Sequence, residues 1–561
     1  MSKDSKALTL RSWYKSGSPW VWLNAGGAAI SMVMVTGLLL FIASKGLVHF
    51  WPAPVFEAQY SEEGGAPQRL IAEIRSSEMV GAQRLREAGI PVIGDEDLER
   101  FTLKTGNREI YGLDFRFGLK TFINDLSYPE HIVVLERLEW GNFYGYLKEV
   151  KENGVVVASG DQGWDELNFR LERVLALREE IEHIEKSEIG SINFKLEKLR
   201  LRERGLELDG FTRDLNPEEF APLDKARAIE DTAYKILESQ LVELYGKIRR
   251  DAVVLEEMQG ESVEIGLDKA VRAYKPNAYS LLGKMGHYAA KLWEFVADDP
   301  REANTEGGIF PAIFGTVIMV MVMAVLVTPF GVVAAVYLHE YARQGVVTRL
   351  IRVAVNNLAG VPSIVYGIFG LGFFVYFIGG SIDSLFYKEA LPAPTFGTGG
   401  LMWASLTLAL LTLPVVIVST EEGLSRIPRT LREGSLALGS TKFETLWRVV
   451  LPMASPGIMT GLILAVARAA GEVAPLMLVG VVKLAPSLAL DGNAPYLHLD
   501  RKIMHLGFHI YDVGFQSPNV EAARPLVYAT ALLLIVLIVL LNLAAVRIRN
   551  TLREKYRAME H

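Results

Sequence analysis

The 561-residue chain contains no cysteine, so disulfides, thiol nucleophiles and cysteine-ligated zinc or iron–sulfur sites are all excluded. It also lacks the G-x-x-x-x-G-K-[ST] pattern. Its two Gly-Lys pairs, at 246–247 and 283–284, are followed by Ile248 and Met285, and neither has a glycine five residues upstream. Without that loop the chain cannot bind ATP in the P-loop manner. Any ATP-driven work therefore requires a separate ATPase.

The net charge of −7 conceals two parts of opposite sign. Residues 52–306 hold 50 Asp and Glu against 34 Lys and Arg, a net charge of −16. The rest of the chain holds 15 against 24, a net charge of +9. Half of all residues are hydrophobic and the mean hydropathy is +0.22, which indicates a membrane protein. We therefore expect an acidic soluble domain joined to a basic membrane part, and the acidic sign argues against nucleic acid as a partner.

Six apolar runs are long enough to cross ~30 Å of hydrocarbon, which takes about 20 residues. They predict transmembrane helices at Trp22–Ser44, Ile309–Leu338, Leu358–Gly379, Gly400–Thr420, Pro452–Val481 and Pro525–Val546. The first run is too long for a signal peptide and no small-x-small cleavage site follows it. We therefore expect an uncleaved anchor.

Four clusters of basic residues flank these runs, and with six crossings all four fall on one side of the membrane. Their members are Lys3, Lys6, Arg11 and Lys15; Arg343, Arg349 and Arg352; Arg426, Arg429, Arg432, Lys442 and Arg448; and Arg547, Arg549, Arg553, Lys555 and Arg557. The positive-inside rule makes that side cytoplasmic. The predicted order is a cytoplasmic N-terminus (1–21), a first transmembrane helix (22–51), a periplasmic insertion (52–306), a five-helix core (307–546) and a cytoplasmic C-terminus (547–561).

The insertion carries strand patterns and two long helical patterns. Residues 131–159 alternate and contain Asn153-Gly154, which is typical of a hairpin turn. Apolar residues then recur at three- and four-residue steps from Leu167 to Leu199 and from Ala226 to Ile248. A Gly- and Pro-containing break at 208–220 separates them, which predicts an antiparallel coiled-coil hairpin. Strand-like segments follow, and no catalytic constellation accompanies this α+β pattern, so a structural or docking role is expected.

A charged segment between the fourth and fifth runs has an ordered pattern. "RTLREGSLALG" predicts a short helix stopped by Gly439, and Thr441 stands three residues before Glu444 as a capping box. Phe443, Trp447 and Val450 place apolar groups on one face of the second helix, which should end at Pro452. A DNA-reading helix–turn–helix could hardly reach a major groove from between two membrane spans. The alternatives are a plain connecting loop and a rigid knob that docks a partner, and the knob explains both the cap and the apolar face.

This segment resembles the EAA motif of ABC-importer permeases, E-A-A-x3-G-x9-I-x-L-P. Glu433, Gly439, Leu451 and Pro452 match, whereas Gly434-Ser435 replaces the two alanines and Val449 the isoleucine. The stretches "GGIFPAIFGT" (307–316), "TPFGVVAAVYLHEYAR" (328–343), "NNLAGVPSIVYGIFGLG" (356–372) and "ARAAGEVAPLML" (467–478) are similar to permeases of phosphate-specific ABC importers, most closely the PstA type. The resemblance covers about 307–546 and the first span, and the insertion departs from the family pattern.

The resemblance implies a mostly α, polytopic membrane protein with a six-helix type I ABC importer permease bundle. It implies that coupling helices at 425–451 dock the ATPase through Glu433, Gly439, Thr441, Glu444, Trp447, Leu451 and Pro452. The implied partners are a second permease (PstC type), two copies of an ATPase (PstB type) and a periplasmic phosphate-binding protein (PstS type). ATP and Mg²⁺ would bind the ATPase, so this chain needs no cofactor of its own, is not an enzyme and would lie in the bacterial inner membrane.

Two charges interrupt the fifth run. Arg468 and Glu472 are four residues apart near its middle, where each charge costs ~2.5–3.5 kcal/mol, so they should face the bundle interior or an aqueous path. One interpretation is a structural ion pair. The other is an anion path in which the Arg468 fork contacts phosphate and Glu472 balances it, as the family's charged span implies. Ser363 and Tyr366, beside Pro362, are further pathway candidates.

His505 and His509 share a helical spacing with His498 nearby, but without matching carboxylates we predict ordinary loop histidines and no metal site. Two other functions stay open from the residues. One is a membrane-anchored scaffold or sensor whose external hairpin binds partners, and the other is transport of another oxyanion such as sulfate or molybdate. The large insertion favours the scaffold or sensor. Only the resemblance selects phosphate over another oxyanion.

Overall fold

The computed structural model describes residues 14, 16–61, 66–87, 96–517 and 520–557. Within that part, six helices are long and apolar enough to cross a membrane. We number them spans 1 to 6: Pro19–Val48, Phe310–Tyr341, Ser363–Phe386, Leu401–Ser425, Lys442–Gly471 and Ala523–Glu554. The prediction of six spans is thereby confirmed, although span 3 begins at Ser363 and not at Leu358, which ends the separate helix Val346–Leu358. The basic residues Lys3, Lys6, Arg11 and Lys15 lie outside the described residues.

The membrane part is built from long helices broken by short π-helical segments. Its α-helices are Ser18–Val48, Phe310–Val336, Val346–Leu358, Ser363–Phe369, Gly380–Phe386, Leu401–Ser425, Arg429–Ala437, Lys442–Thr445, Leu451–Gly471, Leu476–Val479, Leu506–Tyr511 and Val520–Arg557. The π segments are Tyr337–Tyr341, Gly370–Gly379, Leu446–Val450 and Asp512–Gln516, and a 3₁₀ turn occupies Lys388–Ala390. We call the side where spans 2 and 4 end and span 5 begins the basic face, and the opposite side the insertion face.

Span 4 is the centre of the bundle and packs against spans 2 and 5. Small residues set the distance between spans 4 and 5. A Cβ added to Gly457 would lie 2.7 Å from the Cα of Gly423, and one added to Gly461 would lie 2.8 Å from the Cβ of Ser419. Gly457 and Gly461 form a G-x-x-x-G pair. Because lipid provides no hydrophobic drive for helix association, such close packing holds the two spans together.

Span 5 differs from its predicted bounds at both ends. It ends at Gly471, not Val481, because the ring of Pro475 clashes with the carbonyl four residues earlier and Glu472 turns to extended geometry, φ −82° and ψ 135°. At the other end the capped helix does not stop at Pro452 as predicted. It runs on into the membrane because the wide π-helical turn Leu446–Val450 makes room for the proline.

The final helix also runs beyond its predicted end at Val546 and continues to Arg557. After Pro525 the segment contains neither Gly nor Pro and is rich in Leu, Ala and Arg, so no residue stops the helix. Span 1 packs on this helix, where the Gly46 backbone comes close to Tyr528 and Ala529. A side chain at Gly46 would lie about 3 Å from the backbone of span 6.

The insertion contains two antiparallel sheets. Their strands are β1 (Val55–Tyr60), β2 (Gln68–Val80), β3 (Leu98–Lys104), β4 (Phe115–Leu119), β5 (Ile123–Ser127), β6 (Ile132–Arg137), β7 (Phe143–Glu152), β8 (Val155–Ser159), β9 (Asp251–Glu256), β10 (Ser262–Gly266) and β11 (Ala270–Tyr274). The first sheet has the order β4-β3-β2-β1-β5 and the second β10-β9-β7-β6-β11, with β8 paired to β7. The predicted turn at Asn153-Gly154 is present, with positive φ at both residues.

Shorter elements complete the insertion. They are the helices Ala82–Glu87 and Arg108–Tyr111, the 3₁₀ turns Lys120–Phe122, Leu267–Lys269 and Glu302–Asn304, and the small ribbon of β12 (Pro300–Arg301) with β13 (Glu306–Gly307). An amphipathic helix, Leu281–Ala297, leads towards span 2, and its Phe295 packs on Phe50 at the end of span 1. Sequence reasoning missed this helix and the whole first sheet.

The predicted helical hairpin is present. One arm runs from Gly160 to Leu208 through a π-helical turn at Ile184–Ile189, and the other is Pro217–Ile248. The hairpin is anchored to the second sheet, where Arg170 lies 2.6 Å from the buried carboxylate of Asp251. Its first arm also reaches the insertion face of the bundle.

Loop 488–501, between spans 5 and 6, receives the first arm of the hairpin. The Ser191 hydroxyl donates to Asn493 Oδ1 at 3.3 Å, and Lys198 Nζ donates to the Ala494 carbonyl at 3.1 Å. Phe194 meets the His498 ring edge-on, with centroids 5.7 Å apart. The insertion is therefore tied to a loop of the permease bundle.

Candidate functional site

The segment between spans 4 and 5 forms the compact two-helix unit that its sequence predicted, and we call residues 429–450 the knob. Its first helix ends before Gly439, which has a φ of +91°, a region that favours glycine. The Thr441 side chain accepts from the Glu444 N–H at 3.2 Å, while Glu444 Oε2 accepts from the Thr441 N–H at 2.9 Å. The capping box is therefore complete.

The knob is held rigidly to the basic face. Arg432 lies 3.0 Å from the Glu340 carboxylate at the end of span 2, and Lys442 Nζ donates to the Glu340 carbonyl at 2.6 Å. Within the knob, Ser435 and Thr445 share a hydrogen bond of 2.9 Å. Because the second helix of the knob continues directly into span 5, a displacement of the knob moves that span with it.

The knob presents apolar side chains to the outside. Leu438, Phe443 and Trp447 are 88%, 67% and 65% exposed, and the rings of Phe443 and Trp447 stack with centroids 6.4 Å apart. Contrary to the prediction, Val450 does not belong to this face. The π-helical turn rotates it inward, where it is fully buried in a cluster with Leu424. The exposed apolar surface is characteristic of a docking site.

The remaining residues of the predicted docking set lie around the same unit. Glu433 and Glu444 are exposed, and Leu451 and Pro452 are half-buried where the knob joins span 5. The structure thus brings the whole set together in one body. Their docking role remains a proposal.

A cavity of about 510 Å³ opens beside the knob, between the helix Val346–Leu358 and spans 4 and 5. Its polar lining consists of Asn356, Ser419, Glu422, Arg426 and Thr460. Sequence reasoning missed these residues as pathway candidates. The polar run Ser419-Thr420-Glu421-Glu422 at the end of an otherwise apolar span was the available signal.

Arg468 lies on the cavity side of span 5. Gly457, Thr460 and Leu464 line the cavity, and Arg468 continues that face one turn further, about 6 Å beyond Leu464 at 1.5 Å per residue. Its guanidinium Nε is 3.7 Å from Glu472, an ion pair beyond hydrogen-bonding distance. In the described part of the chain the guanidinium has no hydrogen-bond acceptor, so its N–H groups are available to an anion.

The predicted geometry of this pair needs one correction. Glu472 does not share a helical face with Arg468, since the helix ends at Gly471 and Glu472 has extended geometry. The pair forms nevertheless, at the end of the helix and not in its middle. A charged pair beside a helix break is easier to rearrange than one fixed on a continuous helix.

Ser363 and Tyr366 do not line the cavity, although the charge of Arg468 acts on Tyr366. Ser363 is the first residue of span 3 and is half-buried. Tyr366 is 5% exposed, and its hydroxyl donates to the Leu358 carbonyl at 2.6 Å. That bond fixes the corner between the helix Val346–Leu358 and span 3. A pathway role of Ser363 and Tyr366 stays a prediction.

His498 and His505, two of the three histidines noted in the sequence, have different hydrogen-bond partners. His498 lies 2.9 Å from Asp491 in loop 488–501, whereas His505 accepts from the Gly507 N–H at 3.1 Å. His505 and His509 are buried, which lowers the pKa of each to about 4. Among the described residues, no group of three or more potential ligands could hold a metal ion.

Comparison with known proteins agrees with this architecture. The family model described as "Binding-protein-dependent transport system inner membrane component" matches residues 327–554. The "Phosphate transport system permease protein PstA 1" of Mycobacterium tuberculosis is 38% identical over 247 residues, 43% of this chain and 71% of the relative. The chain belongs to this permease family, in its PstA type.

A second relative, another PstA permease, supports the same assignment. PstA of Yersinia pestis is 32% identical over 252 residues, 45% of this chain and 75% of the relative. A solved chain of the MetNI methionine ABC transporter covers 43% of this chain and 94% of its own length, with 21% identity and a TM-score of 0.31. The family match begins inside span 2. It therefore includes the knob and the cavity and leaves the insertion outside.

Proposed function

We propose that this chain is the transmembrane permease subunit of an ATP-driven importer of inorganic phosphate. The observation that carries the proposal is the knob, a rigid, capped, apolar surface whose helix is continuous with span 5. A surface of this kind can pass a partner's movement directly into the bundle. The names of the relatives, phosphate transport system permeases, select phosphate as the cargo.

The orientation follows from the basic clusters. We propose that the basic face and both termini are cytoplasmic and that residues 52–306 are periplasmic, with the chain in the bacterial inner membrane. The knob then faces a cytoplasmic ATPase dimer of the PstB type, which would bind ATP and Mg²⁺. A second permease of the PstC type and a phosphate-binding protein of the PstS type would complete the importer.

In this scheme phosphate passes Arg468 and leaves through the 510 Å³ cavity. The Arg468 fork offers donors suited to phosphate oxygens, and Glu472 neutralises it when the path is empty. A carboxylate next to the cation also keeps binding weak, which transport requires, since a tightly held anion could not leave. Asn356 and Arg426 would contact the anion near the cytoplasmic opening.

The test is ATP-dependent phosphate uptake into vesicles that contain the reconstituted complex. Arg468→Ala should abolish uptake while the complex still assembles and hydrolyses ATP, because only the pathway is damaged. Gly439→Trp should uncouple or release the ATPase. A Cβ at Gly439 meets no atom of this chain within 4 Å, so a bulky group there interferes with the partner, in addition to the strain of a positive φ.

Two outcomes would redirect the proposal. If both variants transport normally, Arg468 is structural, the knob is a connector, and a membrane-anchored scaffold or sensor becomes the better function. If the wild-type complex accumulates sulfate or molybdate in preference to phosphate, the permease role stands and the cargo is wrong.

A further inference from the structure

A second cavity, of about 940 Å³, lies where the insertion meets spans 1 and 6. Ser44 and Val48 of span 1 and Leu526 and Tyr528 of span 6 form its membrane side, and strands β2 and β3 contribute the opposite wall. The family match does not include this insertion. The cavity is on the far side of the bundle from the knob.

Lys104, at the end of β3, is the unusual residue of this cavity. It is 9% exposed and lines the cavity, yet within the described residues it has no hydrogen bond or ion pair. Glu73 stands opposite it in the β2–β3 pairing. However, the Glu73 carboxylate accepts from the Tyr144 hydroxyl at 2.7 Å and pairs with Arg75 at 2.9 Å. The Lys104 side chain thus reaches the cavity without a counterion from the described residues, and an anion bound in the cavity would supply one.

Glu136 and Glu294, two acidic groups of the cavity lining, are paired with other cations. Lys291 lies 2.6 Å from Glu136 and 3.1 Å from Glu294, and Arg301 lies 2.6 Å from Glu294. Glu306 also lines the cavity, and its charge acts on Arg75. Among the described residues of the lining, Lys104 is a largely buried cation that these pairings leave without a carboxylate, whereas Lys45, also unpaired there, is exposed.

A neutral donor stands beside this cation. His49 follows span 1, lines the cavity, and has a buried Nδ1 without a hydrogen-bond partner. Arg75, Lys104 and Lys291 are close enough to act on it electrostatically, and with its burial they lower its pKa to about 3. The imidazole is therefore neutral and can donate one N–H to an anion while three cations surround it.

The cavity lies at the level of the lipid headgroups, which indicates a phosphate group as the anion. Trp51 and Tyr528 line it at the ends of membrane helices, the level at which aromatic residues meet lipid headgroups. We propose that this cavity binds a phosphate group, with Lys104 as its principal ligand and His49 and Arg75 as further donors. The group is either free inorganic phosphate or the headgroup phosphate of a phospholipid. The proposal does not depend on transport by the chain.

The two sources are separated by two binding measurements on the full-length chain. In detergent, equilibrium dialysis with ³²P-labelled inorganic phosphate measures binding of the free anion. In nanodiscs of phosphatidylcholine with or without phosphatidylglycerol, native mass spectrometry after delipidation measures retained lipid. Lys104→Gln should lower binding at least about tenfold, the loss expected for a charge-assisted hydrogen bond. Lys104→Arg should retain most of it.

Two controls make the result specific. Lys120→Gln removes a lysine of the same domain that is exposed and paired with Glu99, so binding should not change. In an Arg468→Ala background the proposed transport pathway no longer contributes phosphate binding, so the loss that Lys104→Gln causes there is assigned to the cavity. If the binding of inorganic phosphate depends on Lys104, the ligand is the free anion. If the retention of phosphatidylglycerol depends on Lys104, the ligand is a lipid headgroup. If neither ligand depends on Lys104 while the variant melts like wild type, the proposal is wrong.

Discussion

Single residues determine how closely the helices of this bundle approach and where they stop. Gly423, Gly457 and Gly461 bring spans 4 and 5 to backbone contact, and that contact borders the 510 Å³ cavity. Pro475 ends span 5 and places Glu472 outside the helix. Each of these effects comes from the presence or absence of one side chain.

The first prediction concerns Gly461→Ala. The new Cβ would lie 2.8 Å from Ser419 Cβ, so spans 4 and 5 must separate, and we expect a loss of about 1–3 kcal/mol from overpacking. Gly471→Ala is the control, since its Cβ meets no atom within 4 Å and alanine favours the helix by about 0.5–1 kcal/mol. The measurement is the apparent melting temperature in detergent. Equal melting temperatures for the two variants would refute close packing at Gly461.

At the scale of elements, what the sequence could predict was local. Six spans, the Gly439 turn, the Thr441–Glu444 box and the helical hairpin follow from hydropathy, capping chemistry and periodicity, and all are present. The π-helical turn at Leu446–Val450 has no comparable signal, and it explains both wrong predictions there, the inward position of Val450 and the passage through Pro452.

The second prediction uses the contact between the hairpin and loop 488–501. The chain has no native cysteine, so Ser191→Cys with Asn493→Cys introduces two thiols that are the only ones in the protein. A short bifunctional maleimide should join them within one chain, visible as a changed gel mobility after cleavage between the two sites. Either single cysteine variant is the control. Failure to cross-link while both thiols react with a monofunctional maleimide would show that the hairpin does not rest on the loop.

In the whole molecule, the insertion is joined to the bundle by contacts between residues far apart in sequence. Ser191 is hydrogen-bonded to Asn493, and the charges of Arg75, Lys104 and Lys291 act on His49. Local patterns carry no information about such pairings. Sequence reasoning could therefore predict the hairpin but not the loop on which it packs. The same limit applies to the candidate pathway, since Asn356 and Arg426 come to line one cavity with span 5 only after three helices pack.

Four histidines outside the spans have a pKa that desolvation lowers. Burial lowers the pKa of His49 to about 3 and of His287, His505 and His509 to about 4. The ordinary histidine value is 6.5, so the unfolded chain takes up protons that the folded chain does not. Their contribution to stability is full above pH 6.5 and is lost as the pH falls towards 4, by up to about 1.4 kcal/mol per pH unit for each group.

The apparent melting temperature should therefore fall between pH 7.5 and pH 5. Carboxylates with lowered pKa values, such as Asp491 at about 2, contribute little in this window, because their stabilisation is lost only below the ordinary value of 3.8. His509→Gln removes one proton-binding difference and should make the fall smaller. His183→Gln, at an exposed position of the hairpin, should leave it unchanged. If His509→Gln shows the same fall as wild type, His509 takes up its proton in the folded chain as readily as in the unfolded one.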